Sequence, residues 1–205
     1  YADTPTILST FNGTNGALPL APMIVDASGN LFGVTARGGS SYSTDAGLGV
    51  VFEIVKTSGV YAATPTILYN FDGFHGAIPS STIMDGDGSL IGTTFQGGSE
   101  GFGTVFRIAN TAGLYDATPT ILYNFDGPNG RNPIDVIADS NGNLFGTTQF
   151  GGLPEDFGVV FEIVMGSSNP GTGSATLSAT SNSATAAGAT GNTVAVTTSP
   201  SDYAW

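Results

Sequence analysis

The sequence predicts an all-β fold built from propeller-like, four-stranded repeats, and three observations predict it. The same apolar and turn landmarks occur three times, at an interval of about 54 residues. The apolar runs are about 4–8 residues long, rich in Val, Ile, Phe and Thr, and bounded by Gly, Pro, Asn and Asp. No window has the three-and-four apolar spacing of a helix. Four antiparallel strands in about 54 residues is the size of a β-propeller blade.

The first half of each repeat runs from an opening strand through a polar loop to an acidic turn. The segment Thr-Pro-Thr-Ile-Leu opens the repeats at residues 4–8, 64–68 and 118–122. An aromatic residue closes this strand: Phe11, Phe71 and Phe125. A polar Gly loop follows, then a proline: Pro19, Pro79 and Pro133. An acidic turn comes next and predicts a reversal of the chain, because Asp and Gly favour tight turns.

The second half contains two more strands separated by a diglycine. The strand after the acidic turn covers residues 31–35, 90–94 and 144–148. The last strand covers residues 50–54, 104–108 and 159–163, each with a central phenylalanine: Phe52, Phe106 and Phe161. An aromatic residue that recurs once per repeat indicates core, so we predict that these three rings are buried equivalents.

These landmarks divide the chain into a three-repeat, propeller-like region and a tail. The region covers residues 1–165, with repeats at about 1–60, 61–114 and 115–165. The tail, residues 166–205, is rich in Ser, Thr, Gly and Ala. Its segments 175–180 and 192–198 alternate with period two, which predicts strands. Three blades are fewer than the four to eight with which propellers typically close, so we expect exposed strand edges that either further repeats of a longer array or another subunit would cover.

The landmarks resemble the GloVer-type tandem repeat of bacterial surface proteins over about residues 1–164. The second repeat departs from the pattern at Ser89, where the others have Asn30 and Asn143. This resemblance implies a secreted, cell-surface protein without enzymatic activity. Residues 197–205 resemble the first part of a BACON-type β-sandwich domain. That resemblance implies carbohydrate or mucin binding, or a spacer.

Composition excludes several classes of partner. Four basic residues stand against 16 acidic ones, a net charge of -12. This balance argues against nucleic acid and against an anionic membrane surface. There is no Cys, which excludes thiolate metal sites and disulfides. No apolar stretch reaches the roughly 18 residues of a membrane span. We expect an extracellular protein that needs no cofactor.

The acidic turns are the strongest candidates for a metal site. Asp26, Asp85, Asp87 and Asp139 could supply calcium ligands, but Gln96 stands where an EF-hand needs a bidentate Glu. A tight turn without metal is the preferred interpretation. His75, the single histidine, is interpreted as a surface residue, because no nucleophile motif accompanies it.

Two further sets of residues have side chains suited to chemistry or binding. Glu53 and Glu162 occupy equivalent positions and could form a glycosidase pair, but Arg107 replaces them in the second repeat. We therefore predict no enzyme and no catalytic residue. Aromatic residues that do not recur are the better candidates for stacking on a glycan: Tyr42, Phe74 and Phe102.

The function expected from these features is structural. We predict an extracellular assembly protein, such as a filament or surface-array subunit, that joins copies of itself by β-strand addition. The candidate donor residues lie in the tail: Thr176, Leu177, Val194 and Val196. A neighbouring chain is the favoured acceptor, and pairing within one chain is the alternative. A glycan-binding adhesin is the alternative function.

Overall fold

The computed structural model describes residues 4–40 and 47–165, and the backbone alone of residues 176–179. Within these ranges the regular structure is entirely β, which confirms the predicted all-β class. The strands form three four-stranded antiparallel sheets and two two-stranded hairpins, and no ring closes among them.

Sixteen strands are described, and they are numbered in chain order. They are β1 (Ile24–Val25), β2 (Leu31–Thr35), β3 (Val50–Ile54), β4 (Lys56–Thr57), β5 (Val60–Tyr61), β6 (Thr66–Asn70), β7 (Ala77–Met84), β8 (Leu90–Gln96), β9 (Thr104–Ile108), β10 (Asn110–Thr111), β11 (Leu114–Tyr115), β12 (Thr120–Asn124), β13 (Arg131–Ala138), β14 (Leu144–Phe150), β15 (Val160–Val164) and β16 (Thr176–Ala179).

The sheets are offset from the sequence repeats, because each takes its outer strand from further along the chain. The first sheet has the order β1-β2-β3-β6, and the second has the order β7-β8-β9-β12. Strands β6 and β12 are the Thr-Ile-Leu segments that open the second and third repeats. Each repeat therefore completes the sheet of the repeat before it.

A strand from the tail fills the outer position of the third sheet, whose order is β13-β14-β15-β16. Leu177 pairs with Ile163, and Thr176 pairs with Val164. These two candidate donors do lie at a sheet edge, but it is an edge of their own chain. This strand therefore pairs within its own chain, which is the alternative to pairing with a neighbour. It covers the edge of β15, as β6 covers the edge of β3 and β12 covers the edge of β9. The candidates Val194 and Val196 lie outside the described residues.

The predicted phenylalanine core is confirmed. Phe52, Phe106 and Phe161 are each at most 1% exposed. Each ring lies on the glycine opposite it across the sheet: Gly33, Gly92 and Gly146. A Cβ on Gly33 would stand 2.8 Å from Cζ of Phe52, so only glycine leaves space for the ring. The strand motif therefore carries a glycine for packing.

Neighbouring sheets pack face to face through equivalent parts. Strand β7 of the second sheet lies against β2 of the first, and β13 of the third lies against β8 of the second. The N–H of Ile78 donates to the carbonyl of Leu48 at 2.8 Å, and the N–H of Asn132 donates to that of Phe102 at the same distance. The two junctions between sheets thus follow one geometry.

Candidate functional site

The Gly-rich loop of the second repeat holds the one histidine in a polar cluster. Nδ1 of His75 lies 2.7 Å from Oδ2 of Asp72 and 3.1 Å from the hydroxyl of Tyr69. Partial burial works to raise the pKa of Asp72, but hydrogen bonds from the backbone and ring of His75 outweigh it and lower that pKa. Burial, with the charge of Asp72, raises the pKa of Tyr69 well above its usual range.

The same loop in the other repeats shows what the cluster does. The N–H of His75 donates to Asp72 Oδ1, as that of Asn15 donates to Asn12 and that of Asn129 to Asp126. A side chain three residues upstream therefore clamps the loop in every repeat. His75 is a partly buried member of this clamp, which the surface interpretation missed. The spacing of three residues between polar positions in all repeats was the available signal.

In each acidic turn the aspartate side chain accepts hydrogen bonds from the backbone of the same turn, as in a tight turn without metal. Oδ1 of Asp26 accepts the N–H groups of Ser28 and Asn30, at 2.9 and 2.8 Å. Asp85 and Asp139 accept the equivalent pairs, and the N–H of Asp87 is one of these donors. In the ranges 4–40 and 47–165, no group of three His, Cys, Asp or Glu side chains is placed to hold a metal ion.

The departure at Ser89 is compensated by Arg107. In the first and third repeats the amide Nδ2 of Asn30 or Asn143 donates to the second oxygen of the turn aspartate. Ser89 has no amide, and Nε of Arg107 donates to Asp85 Oδ2 at 3.3 Å instead. The turn geometry is therefore retained in the second repeat.

The two carboxylates considered for glycoside cleavage lie on separate sheets, Glu53 in β3 and Glu162 in β15. Neither carboxylate lines the apolar grooves on the outer faces of the first and third sheets. Burial, with the negative charge of Asp26, raises the pKa of Glu53. The structure does not bring the pair together.

The candidate glycan-stacking residues have three different environments. Phe74 is 70% exposed and its ring meets that of His75 edge-on at 5.1 Å. Phe102 is partly buried against the core between the second and third sheets and lies over Gly127. Tyr42 lies outside the described residues. Among the candidates that the structure describes, Phe74 is therefore the one with a ring open to a ligand.

The outward face of the third sheet is the first of two uncovered apolar surfaces. Val51 and Val105 are fully buried, but Val160, at the same repeat position, is 69% exposed. Leu48 and Phe102 pack into the core, whereas their equivalent Phe157 is 86% exposed. A groove of about 200 Å³ on this face is lined by Val136, Ile137, Phe145, Gly146, Thr147, Val160 and Asp135. We name this surface the trailing face.

The first sheet presents the matching surface at the other end. Pro19 is exposed, whereas Pro79 and Pro133 are buried. Met23 is 49% exposed, but its equivalents Thr82 and Val136 are buried. Ile7, in the repeat-opening segment, is 79% exposed and lies on no strand. A groove of about 260 Å³ here is lined by residues that include Ile7, Leu8, Pro19 and Met23. We name this surface the leading face.

Comparison with protein families gives a match over almost the whole chain. The model of the Gloeobacter/Verrucomicrobia repeat covers residues 2–201. The chain belongs to this family. The Gloeobacter/Verrucomicrobia repeat is the GloVer repeat that the motifs resemble, so the family prediction is confirmed. No curated protein matches the chain.

Solved structures give only distant likenesses to this Gloeobacter/Verrucomicrobia repeat chain. A structural-genomics target provisionally named gluconolactonase aligns at 12% identity and a TM-score of 0.40, over 66% of this chain and 45% of that one. An α-L-arabinofuranosidase from Clostridium thermocellum aligns at 10% identity and a TM-score of 0.42, over 80% of this chain and 57% of that one. The chain thus spans about half the length of each, and at these scores neither supplies an argument about catalysis.

The described part of this repeat protein contains no helix with the length and apolarity to cross a membrane.

Proposed function

We propose that this repeat protein is a non-catalytic structural protein that acts outside the cell by assembling with copies of itself. The observation that carries the proposal is the pair of uncovered apolar faces. Both include residue positions that are buried where the chain packs sheet on sheet, such as those of Val160 and Met23. Apolar surface of this kind, rimmed by polar loops, marks an interaction site.

The sheets of this assembly are propeller blades in the proposal. Each has four antiparallel strands, and neighbouring sheets stack face to face, as blades do. Three blades do not complete a propeller, which typically has four to eight. Covering both faces with further sheets would bury residues such as Val160 and Met23. Burial of each such side chain stabilises an assembly by about 1.5–3 kcal/mol.

The test is the state of association of the 205-residue chain. Light scattering after size exclusion, with negative-stain microscopy, at concentrations from about 1 to 100 μM should show species larger than one chain. A chain that stays monomeric over this range would contradict the proposal.

A glycan-binding adhesin is the second candidate, and the exposure of Phe74 favours it. An exposed ring beside polar side chains suits stacking on a sugar face. A glycan array should then show retention by the wild-type chain and loss of retention by Phe74→Ala. Equal retention by both proteins would remove this candidate.

A further inference from the structure

The two sheet junctions inside the chain provide a template for what covers the trailing face. In the first junction the N–H of Phe71 donates to Gly49 O at 3.1 Å and the N–H of Ile78 donates to Leu48 O at 2.8 Å. Pro79 lies so close to Gly49 that a Cβ there would stand 2.5 Å from its Cδ. The second junction repeats the pattern: Phe125 to Gly103 at 3.0 Å, Asn132 to Phe102 at 2.8 Å, and Pro133 against Gly103.

The trailing face ends in the acceptor half of this template. Phe157 and Gly158 occupy the positions of Leu48 and Gly49, and Gly158 has the same left-handed backbone, with φ of 96° against 94°. The backbone at Gly158 therefore has the conformation that Gly49 has in the filled junction.

The leading face carries the half of the template that donates N–H groups, and this half also has the conformation of the filled junctions. Phe11, Leu18 and Pro19 occupy the positions of Phe71, Ile78 and Pro79. Phe11 packs edge-on against Phe52 at 4.9 Å, as Phe71 packs against Phe106 at 5.2 Å. Leu18 has the left-handed φ of 58° that Ile78 has at 56°. Both halves of one junction thus exist in one chain, at opposite ends of the stack.

We propose that the trailing face binds the leading face of a second copy of this chain, an inference that rests on the proposed function. In this contact Phe11 and Leu18 of the second copy donate their N–H groups to Gly158 and Phe157. Pro19 of the second copy packs on Gly158. Two copies joined at both ends place six sheets in one ring, within the range of about four to eight in which propellers close. One copy has three sheets, below that range.

The contact includes an exchange of strands. Inside the chain Thr66 pairs with Glu53 and Thr120 pairs with Arg107. The equivalent pair in the docked state joins Thr6 of the second copy to Glu162. Strand β16 pairs Ser178 with Glu162 in the single chain, so the incoming segment replaces it. Over the residues that the structure describes, strand β16 reaches no further than Phe161, whereas β6 and β12 continue past the equivalent phenylalanines. Within this part of the chain it covers less of the edge than the incoming segment does.

The first test compares two matched substitutions in the full chain. Val160→Glu places a charge in the trailing face, at a side chain that is 69% exposed in the single chain. Val60→Glu places the same charge on hairpin β4–β5, at a side chain that is 71% exposed. Sedimentation should show that Val160→Glu raises the dissociation constant at least tenfold and that Val60→Glu changes it less than twofold. Circular dichroism checks that both variants keep the wild-type fold.

The second test uses disulfides, since the wild-type chain has no Cys. Thr6→Cys and Glu162→Cys chains, mixed and oxidised, should form a crosslinked pair, because facing residues of antiparallel strands are within disulfide reach. A Glu53→Cys/Thr66→Cys chain is the internal positive control. A mixture of Ser28→Cys with Glu162→Cys is the negative control, because Ser28 lies in an exposed turn.

The outcomes separate this inference from the proposed function. A chain that is monomeric at every concentration overturns both. If the Val160→Glu variant associates as well as the wild-type chain, and Thr6→Cys with Glu162→Cys gives no crosslink above the Ser28→Cys background, this interface is wrong. The proposed self-assembly would still stand. A crosslinked dimer, seen by native mass spectrometry, supports the two-copy ring. An open fibre with the same crosslink supports the interface and overturns the ring.

Discussion

The residue directly before each repeat proline has a left-handed backbone conformation. Leu18, Ile78 and Asn132 have φ of 58°, 56° and 57°. Asn tolerates this region, but a β-branched residue there is strained by roughly 1–2 kcal/mol. Asn132 also donates its side-chain amide to Phe95 O at 2.8 Å. The third repeat therefore has the best residue for this position, and the second repeat has a poor one.

We predict that Ile78→Asn stabilises the protein. Relief of strain should raise the free energy of unfolding by about 0.5–1 kcal/mol, because the side chain lost is only half-buried. The urea unfolding midpoint measures the change. The reverse variant, Asn132→Ile, should lower stability by about 2 kcal/mol, since it adds strain and removes a hydrogen bond. A lower midpoint for Ile78→Asn would contradict the prediction.

The loop clamp predicts a pH dependence. The pKa of Asp72 is lowered in the folded protein, so its ionised form contributes stability above the unfolded pKa of about 3.9. That contribution is lost as the pH falls through the lower, folded pKa. Asp72→Asn should cost less than about 1 kcal/mol at pH 7 and less still at about pH 2, well below the unfolded pKa. Urea unfolding at both pH values tests this. If Asp72→Asn lowers the free energy of unfolding equally at both pH values, the negative charge of Asp72 has no role in stability.

The turn aspartates predict indifference to calcium. Their oxygens accept hydrogen bonds from the turn itself, such as those from Ser28 and Asn30 to Asp26. EGTA should therefore leave the Tm unchanged. A fall of several degrees that added calcium reverses would support the calcium interpretation instead.

The acidic turn and the third strand of each sheet are coupled by hydrogen bonds. Asn30 and Asn143 satisfy their aspartates with an amide, and the equivalent third-strand residues are Glu53 and Glu162. In the second repeat Ser89 and Arg107 replace this combination, and Arg107 also donates to the Ser89 hydroxyl at 2.9 Å. The second oxygen of the turn aspartate thus accepts a hydrogen bond in either of two ways. Asn in the turn occurs with Glu in the third strand, and Ser in the turn occurs with Arg in the third strand.

We predict that Ser89→Asn rescues Arg107→Glu. Arg107→Glu alone should cost about 1–2 kcal/mol, because Asp85 loses a partner and gains a negative neighbour. The double variant should recover at least half of this cost by adopting the first-repeat solution. Chemical unfolding of the four proteins in a double-mutant cycle measures the coupling. Additive costs would mean that the two positions act independently.

The sequence predicts the strands and their core residues well because those signals are local. The recurring Phe52 and its equivalents follow from a repeated pattern, and the acidic turns follow from Asp and Gly. The strand with which the Thr-Ile-Leu segment pairs is distant in sequence. The local pattern of this segment therefore does not show which repeat's sheet it completes. The exposure of Phe157 against the burial of Phe102 is also invisible in the sequence, because it depends on which sheet follows. The hairpins β4–β5 and β10–β11 are too short for a periodic signal.

The net charge of the chain opposes the association that its apolar faces favour. A net charge of -12 on each copy makes two copies repel at long range. Salt screens this repulsion, with a Debye length of about 10 Å at 0.1 M. The apolar contacts at the trailing and leading faces are not weakened by salt.

We therefore predict that association strengthens with ionic strength. The dissociation constant of the wild-type chain should fall several-fold between about 0.02 and 0.5 M NaCl. Sedimentation equilibrium at a series of salt concentrations measures it. An interface dominated by salt bridges would show the opposite trend, and that result would contradict the apolar interface.

The outer strand that each sheet receives from the next repeat also sets an order of events during synthesis. The first sheet is incomplete until residues Thr66–Asn70 have left the ribosome, and the second until Thr120–Asn124 have done so. Each sheet is therefore completed as soon as the opening strand of the next repeat has emerged, and that strand closes the edge that the preceding repeat left open. At any stage of synthesis, only the newest sheet of the nascent chain is still waiting for its outer strand. Mispairing between nascent chains on neighbouring ribosomes is therefore limited to the open edge of that sheet.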